Sequence, residues 1–138
     1  MEVSHQTKLT FHGVDILDVD FHAITTPEDK MDIKIDSTPR VFYPKDNKYL
    51  FKVVTEIELK DERYFTLRLR AIGHFELNDE LSDELKKKFV NANAPAIMFP
   101  YIRSFITTLT ANAGIIGTLI IPAQFFKGTL EELEEISA

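Results

Sequence analysis

Strict alternation of apolar and charged residues is the feature of this sequence that most constrains its fold. In residues 31–36 the odd positions are apolar and the even positions are charged. A period of two also runs through residues 51–60 and 65–77. Such alternation predicts strands with one buried face and one wet face, which is typical of an antiparallel sheet. Only Asp61, Glu62 and Arg63 separate the last two segments, so we expect them to form a hairpin.

A further strand is predicted over residues 9–21, where the alternation is less regular. Leu9 and Phe11 share a phase that Val14 and Ile16 do not follow, and Gly13 lies just before the slip. An extra residue in one strand shifts the phase in this way, and glycine is common at such sites. We therefore expect a β-bulge between Gly13 and Asp15.

Helical signals follow the strands. Ser82 with two acidic residues after it predicts the start of a short helix. Because Phe99 precedes Pro100, and a residue before proline avoids the α region, we expect the main helix to begin at Pro100 and to end near Gly114. Its apolar stripe consists of Ile102, Phe105, Ile106, Leu109 and Ala113.

The last predicted element is a helix that opens with a capping box at Thr129 to Glu132 and carries Leu130, Leu133 and Ile136 on one face. The sequence has no internal repeat and no linker. We therefore predict a single α+β domain over residues 1–138, with a four-stranded antiparallel sheet and two main C-terminal helices on one face.

Composition excludes several classes of protein. The chain contains no cysteine, which excludes thiolate catalysis, disulfides and cysteine-based zinc sites. A net charge of −6 without a Lys/Arg stripe excludes a nucleic-acid binder, although it suits a basic partner. The longest near-apolar run, residues 115–126, falls short of the roughly 20 residues that a membrane helix needs. With no signal-peptide pattern at the N-terminus, we expect a cytoplasmic protein.

Catalytic motifs are absent as well. The histidines have no metal-ligand spacing, and the sequence contains neither Gly-x-Ser-x-Gly nor a phosphate-binding glycine loop. Asp15, near the suspected bulge, is the one candidate for a perturbed group in a small enzyme with an apolar pocket. The histidines in question are His5, His12, His22 and His74. We therefore expect that the protein is not an enzyme and binds neither a metal nor a cofactor.

Apolar residues are in excess between residues 95 and 126. The first of them come almost consecutively, too many for one face of one helix, and a second group follows from Ile115 to Phe126. One sheet with two helices cannot bury all of them within one protomer. Part of this surplus is therefore expected to form subunit interfaces or binding grooves.

Within this stretch the sequence resembles the SecB family of protein-export chaperones. Residues 98–106, Met-Phe-Pro-Tyr-Ile-Arg-Ser-Phe-Ile, are similar to that family's Leu-Phe-Pro-Tyr-x-Arg-x-x-Ile segment. Residues 119–125 resemble its Leu-x-Leu-x-Pro-Val-Asn-Phe segment, and residues 18–23 resemble its Asp-Ile-Ser-Phe-Glu-Ala segment. His22 stands where the family has an acidic residue that belongs to the surface for the SecA motor.

The resemblance implies a homotetramer, built as a dimer of dimers, that holds unfolded or precursor polypeptides in apolar grooves without ATP. It also implies a role in protein export with docking of a SecA-type motor, or a role as a chaperone for an antitoxin. A dedicated interaction module for one partner is the alternative to a general chaperone.

Three sets of residues are expected to carry these functions. The client-binding groove is predicted at Phe42, Tyr43, Phe99, Tyr101, Phe125, Phe126, Leu130 and Leu133, with Phe42 and Tyr43 in an irregular link between strands two and three. Partner docking is predicted at Asp18, Asp20 and Glu76. The oligomer interface is predicted at Ile102, Phe105, Ile106 and Leu109.

Overall fold

The alternating segments form a sheet in the computed structural model of the protein, which describes residues 9–78, 80–114 and 130–134. Its strands are β1 (Leu9–Ala23), β2 (Lys34–Phe42), β3 (Leu50–Asp61), β4 (Phe65–Leu77) and β5 (Glu131–Leu133). They lie in the order β1-β4-β3-β2-β5. Between β4 and β5 come α1 (Asp83–Lys88), a π-helical turn (Phe89–Asn93) and α2 (Ala94–Asn112).

The α+β class and the antiparallel pairing of the first four strands are confirmed, as is the hairpin between β3 and β4. The sheet as a whole is mixed, however, because β5 pairs with β2 in parallel. The predicted helix at residues 129–136 is therefore wrong over its described part. Leu130 is buried, and the backbone of the segment pairs with the outer edge of β2. These tertiary contacts override the local capping signal.

Strand β2 begins and ends later than the alternation predicted. Phe42 pairs with Lys52 of β3, so the prediction that it lies in an irregular link is wrong. Pro39 lies within the strand, opposite Thr55. A proline is compatible with a strand near a sheet edge, where no ladder hydrogen bond requires its missing N–H. In the described residues, β5 covers that edge only from Arg40 onward.

Strand β1 is irregular at two places. Its register with β4 shifts between Phe11 and Gly13, where Gly13 has a φ of 117°, so the predicted bulge is confirmed one residue earlier than expected. A second shift, between Leu17 and Asp20, was not predicted. There Asp18 has a φ of 53°, a conformation that aspartate tolerates better than most residues. These bulges change which face the side chains of β1 reach.

The short helix predicted after Ser82 is confirmed as α1, since the Ser82 side chain accepts a hydrogen bond from the Leu85 N–H. The predicted start of the main helix at Pro100 is wrong, because α2 begins at Ala94 and passes through Pro100. Pro100 deprives the carbonyl of Ala96 of its partner. Both residues lie on the exposed side of α2, where water can hydrate that carbonyl.

The core lies between α2 and one face of the sheet. Side chains at the odd positions of β3 and β4 are buried on this face. Helix α2 packs over them with residues of which none is more than 2% exposed: Met98, Phe99, Ile102 and Ile106. Met98 approaches the sheet closely at Gly73 of β4, where a Cβ atom would lie 2.9 Å from Cε2 of Phe75 and 3.0 Å from Sδ of Met98.

Replacing Gly73 with alanine tests this close approach. Because the added methyl group would overlap Phe75 and Met98, Gly73→Ala should destabilise the protein by about 1–3 kcal/mol, measured by urea unfolding. Adding Met98→Ala removes one of the two overlaps. The loss in the double variant should therefore be smaller than the sum of the two single losses. Additive losses would show that the helix does not press on Gly73.

The link between β1 and β2 is held against the β3–β4 turn by a buried carboxylate. Asp61 is 4% exposed and accepts hydrogen bonds from the Arg63 side chain and from the backbone N–H groups of Arg63 and Asp32. Beside it, the Tyr64 hydroxyl accepts a hydrogen bond from the backbone N–H of Asp29. The hydrogen bonds from Arg63 are the main cause that lowers the pKa of Asp61 to about 2.

This carboxylate predicts a pH dependence of stability. A folded-state pKa below the ordinary value of 3.8 stabilises the protein above about pH 4, and the stabilisation is lost as the pH falls through about 2. Asp61→Asn should therefore lower the melting temperature at pH 7 and flatten its fall between about pH 4 and pH 2. The same acid-induced fall in both proteins would show that Asp61 does not carry it.

Candidate functional site

A groove of about 490 Å³ lies where β2, β5 and α1 meet. We call it the β2–β5 groove; its lining residues are Val41, Tyr43, Asp83, Lys86, Lys87, Val90, Asn91, Leu130 and Glu132. Val41, Val90 and Leu130 form an apolar floor that is buried in the core. Lys86 and Lys87 belong to the last turn of α1 and bring positive charge to one wall. The groove thus combines apolar area, a strand edge and cations.

Tyr43 is the aromatic side chain of this groove. Its ring lies beside that of the buried Phe51, with the centroids 6.4 Å apart, and the Lys86 ammonium group lies 4.8 Å from its centroid. Burial, with a smaller contribution from the charge of Glu132, raises the pKa of the Tyr43 phenol. The ring is partly buried, and its contact with Phe51 holds it in place. Its exposed part can therefore contribute apolar area to the contact with a bound chain.

The π-helical turn positions a side chain that accepts a hydrogen bond from the residue directly before β5. Asn91 lies in this turn, and its Oδ1 atom accepts a hydrogen bond of 2.8 Å from the backbone N–H of Leu130. Turns of this kind recur at functional sites because they redirect side chains out of the regular helical pattern. Sequence reasoning missed Asn91, since no pattern predicts a π-helical turn. It also missed Lys86 and Lys87, although the Lys86-Lys87-Lys88 run was visible.

The sheet face away from α2 is charged. We call it the charged face; a hollow of about 420 Å³ on it is lined by side chains of both signs, including Asp18, Glu56, Glu58, Arg68 and Arg70. Two ion pairs connect its strands, Asp18–Arg70 at 3.1 Å and Glu58–Arg68 at 2.6 Å, and two hydrogen bonds do so as well, His12–Glu76 at 3.0 Å and His74–Asp15 at 2.9 Å. Asp18 and Glu58 therefore each have an arginine as a cationic neighbour.

Large apolar side chains are exposed elsewhere on the molecule. In the described part of the chain they are Leu17, Val19, Ile24 and Tyr101, and the last two are each 53% exposed. The ring of Tyr101 on α2 lies 5.2 Å from that of Phe11 on β1, measured between centroids. Leu17 and Val19 belong to β1, Ile24 follows that strand directly, and Tyr101 belongs to α2.

The structure separates the residues that the sequence grouped into one groove. Tyr43 lies in the β2–β5 groove, but Phe42 shares a row with Lys52 on the opposite, charged face, because successive strand residues alternate. Phe99 is buried in the core under α2, while Tyr101 is exposed on the same helix.

The remaining groove residues lie at the C-terminal end. Leu130 is on the floor of the groove, and Leu133 is partly buried at the end of β5. Phe125 and Phe126 lie outside the described residues.

The residues predicted for the oligomer interface divide in two. Ile102 and Ile106 are buried within this protomer, whereas Phe105 and Leu109 are only partly buried. The residues predicted for docking lie on β1 and β4: Asp18 beside Arg70, Glu76 beside His12, and Asp20 opposite Arg68 in the register.

In residues 9–78, 80–114 and 130–134, no group of three or more His, Asp or Glu side chains could hold a metal ion. No helix in the same part of the chain is long and apolar enough to cross a membrane. Asp15 pairs with His74 at the surface of the sheet.

Comparison with known proteins gives a consistent result. The family profile described as SecB, preprotein translocase subunit SecB, matches residues 18–128. An uncharacterised protein of Methanocaldococcus jannaschii is 27% identical, covering 99% of this chain and 91% of its own length. The protein-export protein SecB of Orientia tsutsugamushi (strain Boryong) is also 27% identical, covering 81% of this chain and 69% of its own length.

A solved structure has the same fold. It is a SecB-like chaperone of Mycobacterium tuberculosis in complex with a peptide from an antitoxin. The match has a TM-score of 0.70 at 13% identity and covers 88% of this chain and 91% of the other.

Proposed function

The chain belongs to the SecB family, and we propose that it holds non-native polypeptides in the β2–β5 groove without using ATP. It acts in the cytoplasm as a molecular chaperone and catalyses no reaction. The observation that carries this proposal is the juxtaposition of the Tyr43 ring, an apolar floor and the outer strand β5 within one groove. An unfolded chain offers the complementary groups, namely apolar side chains and unpaired backbone N–H and C=O groups.

The geometry suits a client of any sequence. Backbone hydrogen bonds to a strand edge do not depend on side chains, and apolar contacts with an aromatic ring tolerate many partners. Burial of one such ring under a client contributes about 2 kcal/mol by the usual area coefficient. A holdase requires this kind of moderate, sequence-tolerant affinity.

The assembly that we propose is a homotetramer, a dimer of dimers. It is supported by the exposed apolar residues of β1 and α2 and by the partial burial of Phe105 and Leu109. In a lone protomer these side chains would remain in water. Sedimentation at micromolar concentration distinguishes the tetramer from a folded monomer.

A role as a chaperone dedicated to one partner is the alternative to a general holdase. It is favoured by the structurally similar SecB-like chaperone of M. tuberculosis, which is in complex with an antitoxin peptide. A chaperone dedicated to one antitoxin would bind that partner and ignore unrelated unfolded proteins. Polypeptides captured from the native cytosol can be identified by mass spectrometry. Many different polypeptides would indicate a general holdase, and a single one would indicate the dedicated role.

Tyr43 and Phe42 form a matched pair for testing the groove. Tyr43→Ser removes the ring from the β2–β5 groove, whereas Phe42→Ser removes a ring from the opposite face of the same strand. Tyr43→Ser should weaken the binding of an unfolded apolar client by about tenfold, as the loss of one buried aromatic contact implies. Phe42→Ser should bind as the wild type does, and fluorescence anisotropy with a labelled, permanently unfolded client measures both.

Circular dichroism and sedimentation control for folding and assembly in these variants. A larger loss of affinity in Phe42→Ser than in Tyr43→Ser would place the client on the charged face and contradict the proposed groove.

For the export role we propose that a basic segment of a SecA-type motor docks on the charged face at Asp18, Asp20 and Glu76. Asp18 and Glu76 already have partners in Arg70 and His12, and these carboxylates are exposed. The attraction left for a motor is therefore weak and screened by salt. Raising the ionic strength from about 0.01 to about 0.15 M, which shortens the Debye length from about 30 to about 8 Å, should reduce the affinity several-fold in a calorimetric titration. Tight binding that salt does not change would contradict this docking mode.

A further inference from the structure

The charged face has two halves, which differ in the cations that accompany its carboxylates. Because strand residues alternate, the side chains of β4 on this face are Arg68, Arg70, Ile72, His74 and Glu76. Ile72 is buried and separates the two arginines from His74 and Glu76. Arginine is always protonated in proteins, whereas histidine typically changes its charge between about pH 5 and pH 8. One half of the face therefore has permanent cations, and the other half has titratable ones.

The arginine half offers a constant charge to a partner. Arg70 lies 3.1 Å from Asp18, and Arg68 lies 2.6 Å from Glu58. Because both cations are permanent, these two carboxylates are compensated to the same extent from about pH 5 to pH 8. Their attraction for a cationic partner is therefore the same throughout that range.

The histidine half offers a charge that depends on pH. Nε2 of His12 on β1 lies 3.0 Å from Oε1 of Glu76, and Nε2 of His74 lies 2.9 Å from Oδ2 of Asp15 on β1. An ionised carboxylate only accepts hydrogen bonds, so each Nε2 carries the proton that it donates. Protonation of the other ring nitrogen, Nδ1, keeps both hydrogen bonds and adds a positive charge to each ring. The contacts stay the same while the charge of the surface changes.

The charged groups around the two rings belong to three strands. Asp15 of β1 and Glu76 of β4 contact the rings, and the register places Lys52 of β3 beside His74. Lys52 is cationic in both states of the ring, so its contribution to the face is constant. Helix α2 packs on the opposite face of the sheet. Among the described residues, the change of charge at this end of the face therefore comes from His12 and His74.

We propose that His12 and His74 make the charged face a pH-dependent docking surface, which binds a cationic segment of another polypeptide above about pH 7 and releases it toward about pH 5. With neutral rings, the negative charges of Glu76 and Asp15 attract the segment. With protonated rings, both carboxylates are compensated and the rings repel the segment. The inference rests on the proposed docking of a basic segment on this face and specifies how that docking is regulated.

A labelled peptide of twelve alternating lysine and glycine residues, acetylated at its N-terminus, tests the inference with the full-length chain. Its charge is constant over the pH range of the experiment, because lysine titrates only near pH 10. Fluorescence anisotropy at about 0.01 M salt, where exposed charges are least screened, measures its affinity. Since the side chains of the two pairs are 31% to 65% exposed, the wild type should bind about three- to tenfold more weakly at about pH 5.5 than at about pH 8.

Three variants assign the effect to the two rings. Glutamine keeps an N–H donor but does not titrate, so joint replacement His12→Gln and His74→Gln should give equal affinity at both pH values. Joint replacement His12→Arg and His74→Arg makes the positive charges permanent and should give weak binding at both. His22→Gln is the matched control, because His22 is an exposed residue of β1 whose register partner is Thr66 and not a carboxylate. This control should retain the pH dependence of the wild type, and an undiminished pH dependence in the double glutamine variant would overturn the inference.

A measurement on the wild type does not depend on the folding of any variant. If protonation weakens binding of the peptide, binding must release protons, because the coupling between two ligands is reciprocal. Isothermal titration calorimetry in two buffers of different ionisation enthalpy should detect this release at about pH 6.5 and none at about pH 8. Binding without proton release at about pH 6.5 would overturn the inference.

This inference and the motor-docking proposal fail separately. Binding of both the lysine–glycine peptide and a SecA-type segment with the same affinity at both pH values excludes this inference alone. Binding of the peptide that depends on pH, without binding of the SecA-type segment, excludes motor docking alone. If neither binds at about pH 8, both are excluded.

Discussion

Packing of helix α2 on one face of the sheet is the interaction on which the rest of the structure depends. Met98, Phe99, Ile102 and Ile106 of α2 share one core with the buried odd positions of β3 and β4, and the absence of a Cβ at Gly73 leaves space for Met98 against β4. On the other face of the same strands most even positions carry polar or charged side chains, while the paired Val54 and Ile72 are buried apolar residues. Because α2 lies over β1 and β4, the groove can form at the far side of the sheet, between β2, β5 and α1. The location of the candidate site thus follows from where the core is.

Features set by local periodicity could be predicted from the sequence, and those set by tertiary contacts could not. Strands β3 and β4, their hairpin and the bulge of β1 follow from alternation and from one glycine. Helix α2 passes through Pro100 because apolar packing on the sheet outweighs the loss of one hydrogen bond on the exposed side of the helix. The energy of that packing depends on tertiary contacts, so local sequence rules cannot predict it. The capping box at Thr129 is a genuine helix signal, yet Glu131–Leu133 forms a strand because the edge of β2 is available.

The same distinction applies to the candidate site. Tyr43 was predicted from its place between prolines, whereas Phe42 was assigned to the same groove only because the extent of β2 was unknown. An offset of one residue in a strand reverses the face of a side chain. Lys86, Lys87 and Asn91 are far from β5 in sequence, so their meeting depends on the fold. Resemblance to the SecB family predicted a client-binding groove, and of the residues predicted for it Tyr43 and Leu130 line the β2–β5 groove.

Membership of the SecB family and a groove of apolar floor, aromatic ring and strand edge together support a chaperone that holds non-native chains. The most direct test is light scattering from a chemically unfolded client, diluted into buffer without nucleotide in the presence of four chains of this protein per client chain. The account predicts that scattering is suppressed and that client and protein elute together in size-exclusion chromatography. Aggregation at the rate seen with an inert protein of similar size and charge would contradict it.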